Sequence, residues 1–132
     1  MSAERTALLT QLAAQRRHVL AATEGLAEDQ LMAAPLPSGW TIAAMVNHLA
    51  MDDEFFWFVC VLGGDEEAIA SLEGDGWTVP SGLSGRDVVE RYAAVAARAD
   101  LVLADLTVTS TWSSDAIRAA RSPRVTVGCR HG

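Results

Sequence analysis

Three long stretches of this chain repeat their apolar residues at steps of three and four, and that is the period of an α-helix rather than a strand. The period is cleanest over 86–106, in Val88, Tyr92, Val95, Ala99, Val102 and Leu106. Ser84 and Asp87 precede it as a capping box, with Asp where Glu or Gln is usual. A first stretch, over 2–24, carries Leu8, Leu12, Val19, Ala22 and Leu26 with only Gln15 polar on the stripe, and Gly25 supplies its stop. Between them, Thr41 reads as the N-cap of a helix closed by Gly63 and Gly64, with Ile42, Met45, Leu49, Phe56 and Val59 facing inward. A rod of about 22 residues at 1.5 Å rise reaches roughly 33 Å, long enough for a helical bundle.

The joints agree with this division. LAEDQL reads as a short turn, PLPSG as a loop, DEEAIASLEG as a short helix and GDGWTVPSGLSG as a long turn-rich connection. The expected fold is therefore all-α: an up-down bundle of three long antiparallel helices in one domain over residues 1–115. Residues 116–132 read as an irregular basic tail, because RSPRVTVGCRHG cannot make a long amphipathic helix. Three helices leave one apolar groove open, so the pattern predicts an incomplete bundle whose fourth helix is missing.

Charge and composition exclude several classes. All 17 acidic residues lie in 1–115, where six arginines against them leave −11; the last 17 residues hold the other four arginines and no acid. An acidic body lacks the basic face that phosphate binding needs, so no nucleic-acid partner is expected. No apolar run reaches the roughly 18 residues of a membrane span, and the charged first helix is no secretory signal. A cytoplasmic location, with no membrane partner, is the expectation. Cys60 and Cys129 are too few and too isolated for a disulfide framework or a metal knuckle; Cys60 falls in an apolar helix pattern and reads as core.

No phosphate loop, HExxH or GxSxG elbow occurs. What chemistry the chain carries centres on His48, which shares a helix face with Asp52 four residues on. A carboxylate-oriented imidazole on a bundle helix is a sound metal ligand, although a catalytic zinc wants about three protein ligands and on spacing alone a core-edge histidine is the commoner case. His18 lies beside Arg16 and Arg17 on a polar face, and His131 is penultimate. Asp52, Asp53 and Glu54, like Asp65, Glu66 and Glu67, read as solvated or helix-dipole acids before a cation site. Trp40, Trp57, Trp77 and Trp112 read as packing anchors.

PSGWTIAAMVNHLAMDDEFFWFVCVLGGD, GWTVPSGLSGRDVVERYAAVAARADLVLADL and Trp112 together resemble DinB-like proteins, most closely an actinobacterial branch related to mycothiol-dependent enzymes. The resemblance covers roughly residues 4–115. It implies a four-helix bundle, often dimeric, with a divalent metal (zinc, nickel or iron) held by three histidines. His48 matches the one from the second helix; the other two come from the fourth helix, and no residue here matches them. It also implies a thiol cofactor such as mycothiol, the metal activating the thiol or a water. The chain departs where SPRVTV should lead into that helix, which reads as a truncation or a frameshift near Val127.

Three readings follow. One is a metal-binding, thiol-dependent transferase- or hydrolase-type enzyme, or its truncated remnant, with His48 as first ligand and Asp52 behind it. The second is a non-catalytic helical domain that completes its core as a homodimer or with a partner's helix. The third is a damaged gene product without function.

Overall fold

A computed structural model describes residues 3–35 and 37–106, and every regular element among them is helical. Helix α1 runs Ala3–Thr23 and stops where Gly25 turns to φ +76°, a conformation that suits glycine. The following turn closes as a single helical turn, α2 (Glu28–Leu31), with Leu31 wholly buried. Glu28 then reaches forward to accept the backbone N–H groups of Gly85 and Arg86, at 2.5 and 3.3 Å. A carboxylate is favoured there, because the first N–H groups of a helix have no partner within it.

Helix α3 (Ile42–His48) opens on the expected cap: Thr41 Oγ1 accepts from Ala44 N at 3.0 Å. From Leu49 to Leu62 the same rod continues as a π-helix, ending where Gly63 N donates to the Phe58 carbonyl five residues back. The wider turn shifts the buried face. Val46, Ala50, Phe55 and Val59 are buried, spaced four to five apart, with Cys60 next to Val59, whereas Met45 of the expected stripe is exposed and Ile42, Leu49 and Phe56 are only partly covered. A stripe drawn at 3.6 residues per turn drifts off the true face within one or two turns.

Asp65 caps the short helix α4 (Glu66–Ala70) by accepting from Ala68 N at 3.0 Å, and Glu66 and Glu67 sit in its first turn. Helix α5 (Gly85–Asp105) begins with both halves of the capping box, Asp87 N to Ser84 Oγ and Ser84 N to Asp87 Oδ2. Val88, Tyr92 and Ala99 of its stripe are buried, and Val95 and Val102 are half-buried. At its far end Arg5 donates to the carbonyls of Leu106 and Leu103 at 2.7 and 2.5 Å, so α1 and α5 run antiparallel.

The core is two clusters along the contact between the α3 rod and α5. One joins Leu31, Val46, Ala50, Val88, Val89 and Tyr92; the other joins Phe55, Val59, Cys60 and Ala68, with Val95 against it. Val46 meets the start of α5, and Gly63 lies beside Val102 near its end. The up-down alternation thus holds for α1, while the α3 rod and α5 run parallel. A parallel pair requires a crossover, and the turn-rich chain over 63–84 supplies it.

Helix α1 is less deeply seated. Leu8 is 71% exposed, and Leu12 and Val19 are half-buried beside a 680 Å³ cavity that Leu49, Trp57, Phe58, Leu62 and Tyr92 also line. An open apolar groove was expected of three helices. The fourth-helix segment, the basic tail, Trp112, Cys129 and His131 lie outside the described residues. No helix among the described residues is long and apolar enough to cross a membrane.

Candidate functional site

His48 is the last residue of α3 before the π-wound turns begin, and its ring points at the crossover rather than into the core. Its Nδ1 lies 2.7 Å from Asp52 Oδ2. The same oxygen accepts the Gly76 N–H at 3.1 Å. A carboxylate oxygen that accepts from an amide is an acceptor toward the ring as well, so Nδ1 donates to it, and in the neutral form of the ring Nε2 is the nitrogen left with a lone pair. The His48 side chain is 24% exposed and that of Asp52 14%.

The crossover is fastened to this spot. Asn47, 2% exposed, donates through Nδ2 to the carbonyls of Gly76 and Thr78, at 2.9 and 3.3 Å. Asp75 Oδ1 accepts the N–H groups of Trp77 and Thr78, each at 3.0 Å, which closes the loop as an Asx turn. The Trp77 indole then lies flat on the His48 ring, with centroids 3.7 Å apart and planes 11° from parallel. Trp40, just before the α3 cap, covers its other face at 4.3 Å and 21°. Trp40 and Trp77 are therefore not core anchors; with 46% and 37% of their surface exposed, they form a stack over the histidine. Trp57, 42% exposed, borders the cavity instead.

A second polar cluster lies in the interior. Arg16 donates from Nε to Glu54 Oε1 at 2.7 Å and from Nη2 to Glu54 Oε2 at 2.6 Å, and from Nη1 to Asp100. Arg16 and Glu54 side chains are 8% and 6% exposed, while that of Asp100 is 64% exposed. The expectation of a polar face at Arg16, and of a solvated acidic run reaching Glu54, is corrected here: the two residues neutralise each other inside. Burial alone would lower the Arg16 pKa, but the hydrogen bonds it donates to Glu54 and Asp100, with their negative charge, outweigh it and raise the value. Burial, with the Glu54 charge nearby, pushes the Tyr92 phenol up.

Of the residues singled out in the sequence, His48 and Asp52 come together, while His18 stays exposed on α1. Asp65 caps α4 and pairs with Arg98 at 2.8 Å, so its acidic run is structural. Asn47 and Gly76 were not singled out, and Trp77 was read only as a packing anchor. Asn47 carried a signal, a polar residue amid the apolar turn of α3, but the loop it fastens is 29 residues away. Among the described residues no group of three His, Cys, Asp or Glu is placed to hold a metal ion.

No curated protein and no solved structure matches the chain. A family model described as mycothiol-S-transferase matches residues 7–131, nearly the whole sequence and all of the site described above. With its helical fold and the histidine opening onto the crossover, the chain belongs to the mycothiol-S-transferase family, within the DinB-like superfamily.

Proposed function

We propose that this protein is a divalent-metal-dependent transferase that joins mycothiol, through its sulfur, to a small electrophile in the cytosol, with His48 Nε2 as one metal ligand. The observation that carries the reading is the His48–Asp52 hydrogen bond at 2.7 Å. Metal-ligating histidines nearly always donate their other ring N–H to a carboxylate, carbonyl or water, which fixes the tautomer and makes the ligating nitrogen more basic. His48 has that partner, and its Nε2 has no hydrogen-bond acceptor or donor among the described residues.

These residues fit one corner of a metal site. His48 binds, Asp52 holds the Nδ1 proton, and the Gly76 N–H keeps the Asp52 oxygen in place. Trp77 shields one ring face from water. Zinc, nickel or iron bound there would lower the pKa of a coordinated thiol or water and so supply the nucleophile. Among the described residues no group of three His, Cys, Asp or Glu completes the site.

Metal content measured on purified protein tests this reading, with mycothiol consumption by an electrophile followed in parallel. Near-stoichiometric divalent metal, lost with activity in His48→Ala, supports it; a metal-free protein that still consumes mycothiol would overturn it. The 680 Å³ groove favours a second reading, a non-catalytic domain that pairs with itself or takes a partner's helix. A concentration-dependent dimer with neither metal nor activity would establish that one.

A further inference from the structure

We infer that the 75–78 loop is a clamp that positions the His48 imidazole, with Gly76 and Trp77 as its two working residues. Its purpose rests on the metal reading of His48, although its geometry does not. An imidazole on a helix can turn about its χ angles and exchange its proton between nitrogens. Here both freedoms are opposed from outside the helix. The Gly76 N–H fixes the Asp52 oxygen that accepts from Nδ1, and the Trp77 indole lies against the ring face. Nε2 is left without a hydrogen-bond partner among the described residues.

Two details argue that the loop is built for this spot. A Cβ on Gly76 would overlap the Asp52 carboxylate, approaching its Cγ to 2.7 Å, so only glycine lets the backbone come so near. Asn47 commits its Nδ2 to two loop carbonyls while its Oδ1 stays buried with no partner among the described residues. A buried unpaired oxygen is unfavourable, and the fold retains it where it fastens the loop. Trp40 backs Trp77 from the far side, so the indole cannot swing away without losing that stack as well.

Nitrogen-detected NMR of the imidazole in the metal-free, full-length protein reads the clamp directly, at a pH where the ring is neutral. Free histidine in water favours the proton on Nε2. The wild type should instead show His48 with its proton predominantly on Nδ1, with His18 serving as the exposed reference. Gly76→Ala should move His48 toward the solution mixture. Trp77→Ala should do so partly, and Trp77→Phe should restore the wild-type pattern by keeping an aromatic face on the ring. Nickel titrations of the same samples should show affinity about 10- to 100-fold weaker in Gly76→Ala. A wild-type His48 with its proton on Nε2, or Gly76→Ala and Trp77→Ala proteins whose tautomer matches the wild type, overturns the clamp. A wild type that holds the Nδ1 proton but takes up no nickel leaves the clamp standing and removes the metal reading instead.

Discussion

Replacing Arg16 by methionine should be among the most damaging single changes available to this fold. Methionine keeps much of the side-chain volume and removes the charge. It strands Glu54, whose side chain is 6% exposed and whose two oxygens both accept from the guanidinium, at 2.7 and 2.6 Å. Removing one partner of such a pair costs about 3–5 kcal/mol, because the survivor is left charged in a medium that cannot solvate it. Asp100 adds little, since at 64% exposure water already solvates it; an exposed pair is worth roughly 0–1 kcal/mol. Against a total stability of about 5–15 kcal/mol, Arg16→Met removes a large share. Urea unfolding followed by circular dichroism measures it, and the double variant Arg16→Met/Glu54→Leu separates the stranded charge from the lost contact. The double variant should recover most of the loss, because a well-packed apolar pair is often as stable as a buried ion pair. An Arg16→Met protein within about 1 kcal/mol of wild type, or a double variant no better than the single, would refute the idea that this pair fastens α1 to the π-wound rod.

Other expectations are smaller. Gly85→Ala places a Cβ 2.7 Å from that of Leu31, so it should cost about 1–3 kcal/mol by overpacking the start of α5, read from the same unfolding curves. Leu31→Ala, at a wholly buried position, should cost about 2–5 kcal/mol; Leu49→Ala should cost clearly less, because Leu49 borders the open groove. Tyr92 is the sole tyrosine, so phenolate absorbance titrates it alone; burial raises its folded pKa, and its midpoint should lie above the ordinary value near 10. A raised acid binds its proton more tightly when folded. Its contribution to stability is therefore complete below about pH 10 and is lost as pH rises through the folded pKa.

The helices were legible from the sequence because their signals are local. Thr41, Ser84 with Asp87, and Gly25 cap or stop helices through contacts within a few residues, and each sits where its pattern predicts. The π-helical turns were not legible, since nothing in LAMDDEFFWFVCVL distinguishes wide winding from ordinary winding; the error surfaced as Phe56 assigned inward where Phe55 is the buried residue. Glu54 and Arg16 were missed for a related reason: each looks like a surface residue until the other is placed beside it, 38 positions away. The His48–Asp52 pair was half legible. Its helical spacing was visible, but the turn that carries Gly76 and Trp77 onto it depends on a crossover, and a crossover between parallel helices is decided by packing rather than by local pattern.

Residue placement also separates the fold from the chemistry. The Arg16 cluster and the two apolar clusters hold the rods together, whereas Asp52 and Trp77 meet the His48 ring at its Nδ1 edge and on its face, with Gly76 holding Asp52 and Asn47 holding the loop. A change in the first set should lower stability with little effect on metal uptake by the folded fraction, and a change in the second should do the reverse.

The most direct measurement is a crystal structure of the full-length protein grown with nickel or zinc, with the ion located by its anomalous signal. It should show the ion about 2.0–2.1 Å from His48 Nε2, with Nδ1 still on Asp52. An ion bound elsewhere with His48 unligated, or one held through Nδ1 with the Asp52 bond broken, would contradict the role assigned to this histidine.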